Sequence, residues 1–184
     1  MAAGCLALNL SLAKVAATLS LPVYLDSVGT ILAAAMLPPI FVLFVAGSTS
    51  LLGALVVNPY FGAYVATQCA IGITAIVAFR WGFFSAWWKS LIAGFAIALV
   101  AVLVSAPVTA ILFGGVTLSG TTAINAVLIA SGQGIWKSVI GGSVFIESID
   151  KPAAALTAWL VLQRLPAYMQ QTNLPTVTSG EEKE

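Results

Sequence analysis

The sequence predicts an all-α, polytopic membrane protein, and three observations predict it. No Asp, Glu, Lys or Arg lies between Asp26 and Arg80, and none between Lys89 and Lys137. The chain is 60% hydrophobic over 184 residues, with a mean hydropathy of +1.06. Its apolar runs are separated by short turns rich in proline, glycine or aromatic residues. A soluble domain of this size has no interior large enough for so many apolar side chains, so the two uncharged stretches belong in lipid. A span needs roughly 20 apolar residues, which leaves room for about six helices and no separate extramembrane domain.

The first segment, 2–20, ends at Leu21-Pro22. A turn-like stretch then leads to Asp26, placed as an N-cap for the second segment. That segment stops at Pro38-Pro39, because proline lacks the helical N–H donor and restrains the residue before it. The third segment, 40–57, carries Gly47, Ser48, Ser50 and Gly53, small residues that permit close helix contact in lipid. Asn58-Pro59-Tyr60 makes its turn, and the fourth segment runs over 61–79. Two cations and five aromatics between Arg80 and Lys89 mark a membrane–water interface before the fifth segment, 90–113.

The glycine-rich stretch 114–120 lacks the lysine and helix context of a phosphate-binding loop, so a plain turn is expected. Residues 121–145 are apolar but broken by Asn125, Gln133, Lys137 and glycines, and read either as a polar-faced helix or as a re-entrant element. A last helix is expected to start with Asp150 as N-cap and Pro152 in its first turn, ending near Arg164. Residues 1–166 form the transmembrane domain in this reading, and 167–184 a disordered polar cytoplasmic tail. With cytoplasmic termini, the positive-inside rule puts Arg80, Lys89 and Arg164 on the inner side if the chain crosses six times; seven crossings would put Arg164 outside.

Composition also narrows the chemistry. The formal charge of +1 and the lack of a basic cluster argue against nucleic-acid partners. Histidine is absent from the chain, which removes the commonest proton shuttle and metal ligand. Cys5 and Cys69 have neither zinc-site nor disulfide spacing and read as packed thiols. The first apolar run follows no basic region and carries Asn9, Ser11 and Lys14, so a cleavable signal is not expected. No nucleophile–base pair, carboxylate dyad, metal signature or ATP-binding motif occurs, and no enzymatic activity is expected.

Binding therefore has to occur among the helices, where ionisable groups are costly and usually have a partner or a task. Lys14 either snorkels to the outer interface or meets Asp26 or a ligand in an outward cavity. Lys137, Glu147, Asp150 and Lys151 form the densest charge set, read as salt bridges at a helix entrance or as a polar lining. Tyr60, Tyr64 and Gln68 recur at intervals of four and, with Asn58, offer an amide-and-phenol face suited to orienting a ring ligand; interfacial anchoring with one interhelical amide bond is the alternative.

With those residues in view, the chain resembles the substrate-binding S components of energy-coupling factor (ECF) vitamin transporters. The resemblance is carried by Leu21-Pro22-Val23-Tyr24-Leu25-Asp26-Ser27-Val28-Gly29-Thr30, by Phe113-Gly114-Gly115-Val116-Thr117, and by Asp150-Lys151-Pro152 before a helix ending Arg164-Leu165-Pro166. It implies a six-helix bundle in the cell membrane with cytoplasmic termini and an outward-facing site closed by the first outer loop. It also implies a small vitamin-like substrate, and partners comprising a transmembrane coupling protein and two ATPase subunits. ATP is then hydrolysed by those partners, and this chain needs no cofactor of its own. Substrate-binding residues expected from polarity and side are Asp26, Ser27, Asn58, Tyr64, Gln68, Asn125, Gln133 and Lys137. The small-residue pattern that docks on the coupling protein falls on Ala3 and Ala7 and on Ala13 and Ala17, where helices must approach backbone to backbone. Rival readings are an ion-coupled solitary carrier, with Glu147 and Asp150 as coupling groups, and a membrane sensor or assembly subunit.

Overall fold

The computed structural model describes residues 1–117 and 121–165. The expected polar tail and residues 118–120 of the glycine-rich loop lie outside the described residues. The described chain is helical throughout its regular structure: α1 (Ala2–Thr18), α2 (Val28–Met36), α3 (Pro39–Val56), a 3-10 helix (Pro59–Tyr64), α4 (Val65–Arg80), α5 (Trp87–Phe113), α6 (Thr121–Ala130) and α7 (Ile135–Leu162). Pro39–Val56, Pro59–Arg80 and Trp87–Phe113 are long and apolar enough to cross a membrane, and the chain is a membrane protein. The expected six-helix count is not matched one for one: the described residues form seven α-helices, several of them short.

Packing is the reverse of a water-soluble bundle. Small residues predominate inside and large ones outside: α5 buries Ala93, Gly94, Ala98, Ala101 and Ser105 along with Ile97 and Val102, and presents Phe95, Leu99, Leu103 and Ile111 to its surroundings. This distribution suits a lipid solvent, in which large apolar side chains gain little from burial and close backbone approach supplies the attraction. The α5–α7 pair shows the consequence. A Cβ on Gly94 would lie 2.5 Å from Pro152 Cα, so only glycine admits this contact.

A polar staple joins the first three helices. Asn9 on α1 is fully buried. Its Oδ1 accepts from Gly29 N at 2.6 Å, and its Nδ2 donates to Thr30 Oγ1 at 2.9 Å and to Thr49 Oγ1 at 3.0 Å. One amide thus satisfies donors and acceptors on α2 and α3, where an unmet polar group would be costly. Gly29 permits this because a side chain there would collide with the Cys5 carbonyl. Eight of the nine residues of α2 are buried. Its short length is therefore covered by neighbouring helices rather than exposed to lipid.

Several sequence expectations are corrected. Asp150 is not an N-cap: Gly132, at φ 87, turns the chain after α6, and α7 then runs continuously for 28 residues with Pro152 inside it. The proline is tolerated because it removes one helical hydrogen bond at a point packed against Gly94. Residues 121–145 divide between α6 and the first part of α7. Asp26 does not cap α2; Ser27 holds the N-cap position, without a side-chain cap bond. Lys14 does not meet Asp26, since its Nζ donates to the Val56 carbonyl at 2.9 Å, at the C-terminal end of α3 where a cation is favoured. Ala3, Ala7 and Ala17 are exposed, but Ala13 is buried against the chain's own helices and is not available to another subunit.

Asn9→Ala should lower stability by about 1–3 kcal/mol, because it strands the Gly29 amide and removes the donor to Thr30 and Thr49. Gly29→Ala should cost more, since α1 must move away from α2. Thermal unfolding of both variants in detergent checks the pair; a Gly29→Ala midpoint equal to that of the parent chain would overturn the packing argument.

Candidate functional site

The most strongly polar interior of the chain lies midway along α7. Ser143, Glu147 and Lys151 recur at intervals of four and share one inward face. Lys151 is 1% exposed. Its ammonium lies 2.6 Å from Asp150 Oδ2, 3.3 Å from Glu147 Oε2 and 3.3 Å from Asp26 Oδ1. Two of its donors bond Asp150 and Asp26, and Glu147 completes the ion cluster without a hydrogen bond to its Oε2. It also sits 5.4 Å from the Tyr24 ring centroid, within cation–π range.

Asp150 spends its other oxygen on the loop between α1 and α2. Oδ1 accepts from Tyr24 N at 3.0 Å and from Leu25 N at 2.8 Å. Irregular backbone at membrane depth is stable only where its polar groups find partners in the protein, and this carboxylate provides two such bonds. Leu25 adopts φ 52, a left-handed conformation that costs a non-glycine residue about 1–2 kcal/mol. The loop is held in that shape by contacts reaching more than a hundred residues along the chain.

Beside this cluster lies a partly open cavity. The loop contributes Tyr24 and Asp26, α3 contributes Ser50, and the 3-10 helix and its cap contribute Asn58, Tyr60, Phe61 and Tyr64. Thr67, Gln68 and Ile71 come from α4, Ser105 and Thr109 from α5, Thr117 from the following turn, and Ser143, Glu147 and Lys151 from α7. Asn58 shapes the rim by accepting from Tyr60 N at 3.0 Å, which caps the 3-10 helix. Tyr64 is fixed by a 2.8 Å hydrogen bond with Thr109, and Tyr60 packs edge-on against Phe113 at 4.8 Å. Gln68 Nε2 makes a long contact of 3.5 Å to the Asp26 carbonyl.

Four of the lining groups hold buried atoms without a hydrogen-bond partner: Ser50 Oγ, Thr67 Oγ1, Gln68 Oε1 and Glu147 Oε2. Buried polar atoms are nearly always satisfied, and orphans gathered around one cavity mark a place where a bound molecule supplies the partners. Among the described residues no group of His, Cys, Asp and Glu is arranged to hold a metal ion.

Of the residues expected from sequence, Asp26, Asn58, Tyr64 and Gln68 line this cavity. Ser27 is buried beside it. Asn125 is also buried, and donates to the Gly115 carbonyl at 3.0 Å while packing on Gly142, so it ties α6 to α7 and the preceding turn. Gln133 and Lys137 are exposed at the α6–α7 turn and the start of α7, away from the cavity. Polarity alone does not separate a lining residue from an exposed one when the helix boundary is unknown. The omitted liners carried a usable signal, because Ser105–Thr109 and Ser143–Glu147–Lys151 both have the spacing of a single helix face.

Asp150→Ala should release the 19–27 loop. The expected result is at least a roughly tenfold loss of amide-exchange protection at Tyr24 and Leu25, tenfold being about 1.4 kcal/mol. Asp150→Asn, which keeps an acceptor oxygen, should lose less. Unchanged exchange in both variants would remove Asp150 as the anchor. No family model, curated protein or solved structure matches this chain, so its functional reading rests on the geometry of this cavity.

Proposed function

We propose that this chain is the substrate-binding membrane subunit, or S component, of an ECF-type importer, which captures a vitamin-like nutrient from outside the cell and delivers it by toppling against a coupling protein driven by two ATPase subunits. The observation that carries this reading is the loop-capped cavity with orphaned polar atoms on α3, α4 and α7. Its aromatic walls with a few convergent polar groups suit a ring compound.

Six crossings result when α1, α2 together with the irregular backbone before it, α3, the 3-10 helix with α4, α5 and α7 each traverse the bilayer, with α6 remaining on the outer side. Arg80, Lys89 and Arg164 then share the cytoplasmic side, in agreement with the positive-inside rule. In this topology the 19–27 loop closes the cavity from outside. Ala3 and Ala7, exposed four residues apart on α1, supply the small-residue face for the coupling protein. The lipid-facing surface consists largely of apolar side chains, which suits a body that has to rotate within the bilayer.

A second reading, an ion-coupled carrier acting alone, is favoured by one observation: the buried carboxylate cluster of Asp26, Glu147 and Asp150 around Lys151. Uptake in reconstituted vesicles separates the two. An S component should transport only with the coupling protein and ATPases present and ATP supplied, and uptake by this chain alone along an ion gradient would favour the carrier.

Mass spectrometry of small molecules released from the purified protein should find a stoichiometric metabolite. Gln68→Ala and Tyr64→Phe should each weaken its binding about tenfold or more by removing one buried hydrogen bond, as measured by calorimetry. Ala7→Trp should leave that affinity unchanged and abolish co-purification with the coupling module. Retained assembly in Ala7→Trp would remove the α1 face from the proposal.

A further inference from the structure

The charges beneath the cavity do not balance. Asp26, Glu147 and Asp150 bring three carboxylates to one ammonium, which leaves two negative charges uncompensated when all are ionised. The carboxylates differ in how they are satisfied. Asp150 has two backbone amides and the shortest contact to Lys151. Glu147, 4% exposed, has its ion pair with Lys151 at 3.3 Å and an Oε2 with no hydrogen-bond partner. The deficit in positive charge is therefore located at Glu147, on the cavity wall.

We infer that the molecule held in this cavity carries one positive charge on an aromatic or ring-shaped body, with its cationic group against Glu147 and Asp26 and its ring between Tyr60 and Tyr64. This rests on the ligand-binding reading above and names its substrate class. A charged group buried in low dielectric requires a counter-charge, and an ammonium or ring cation supplies it together with the donor that Glu147 Oε2 lacks. Lys151 does not recruit an anion, because three carboxylates within ion-pair distance already outnumber its single charge. Gln68 Oε1, which is 2% exposed and unpartnered, is a further acceptor on the same cavity and suits an N–H on the ligand. Aromatic walls favour a cation near the ring faces and a flat body between them. An inorganic cation would use the same charge, but a cavity walled by phenols is a poor coordination sphere for one.

The test uses three molecules of matched shape and different charge on the full-length protein: tyramine as cation, tyrosol as neutral alcohol and 4-hydroxyphenylacetate as anion. The expected result is that millimolar tyramine raises the thermal unfolding midpoint by about 3 °C or more while the other two leave it within error. Glu147→Gln should remove the tyramine response, and Asp26→Asn should reduce it if Glu147→Gln does not fold. Absence of a response to tyramine, or equal responses to all three, overturns the inference. So does a shift produced by sodium or potassium chloride but not by N-methylglucamine chloride, with no added effect of tyramine. A neutral or anionic metabolite found in the purified protein overturns the cationic class while leaving the S-component reading standing. Selective tyramine binding by a protein that never associates with an ATPase module fails that reading and supports the cation site.

Discussion

The ammonium of Lys151 is the point on which the other interior contacts depend. A charge fully removed from water inside a lipid-embedded bundle is tolerated only when its partners are equally buried and directly bonded. Those partners come from two distant parts of the sequence: Glu147 and Asp150 on α7, and Asp26 in the loop before α2. The ion cluster therefore fixes the loop on the bundle, and Asp150 fixes it a second time through the Tyr24 and Leu25 amides. A segment that would otherwise expose unpaired backbone becomes the roof of the cavity.

Close approach of the helices makes that geometry possible. Gly94 against Pro152 brings α5 onto α7 at the level of Lys151, and Gly29 against the Cys5 carbonyl brings α2 onto α1 beside Asn9. In both places a missing side chain, rather than an added one, sets the spacing. The polar atoms inside are shared across helices, as in the Asn9 staple, so the bundle gains specificity of register from a few amide and hydroxyl groups while its outer surface stays apolar. Of the buried side-chain atoms without a partner among the described residues, Ser50 Oγ, Thr67 Oγ1, Gln68 Oε1 and Glu147 Oε2 gather around the cavity, and that clustering points to the site.

The fold was legible wherever its cause was local. Charge gaps and the Pro38-Pro39 break marked the ends of α2 and α3, and the Arg80-to-Lys89 aromatics marked the turn between α4 and α5. The interval of four linking Tyr60, Tyr64 and Gln68 left open a ligand-facing wall or interfacial anchoring, and all three residues lie along the cavity even though the first two belong to a 3-10 helix. Asp150-Lys151-Pro152 misled, because an acidic residue ahead of a proline has the local grammar of a helix start. Its real environment, with Gly94 covering the proline and loop amides taking the carboxylate, is invisible to neighbouring residues in the chain. Gln133 and Lys137 misled for a related reason, since the turn at Gly132 puts them outside the bundle.

The sequence by itself determined that this is a helical membrane protein, because hydropathy and the spacing of charges follow directly from the cost of placing polar groups in lipid. It also determined which residues had chemistry to offer. Only the tertiary structure decided which of them meet. Asp26 and Lys151 are separated by 125 positions, and no local periodicity encodes a pairing at that distance. The partner of a buried charge is selected by the packing that surrounds it, and that packing exists only once α5, α7 and the first loop have come together.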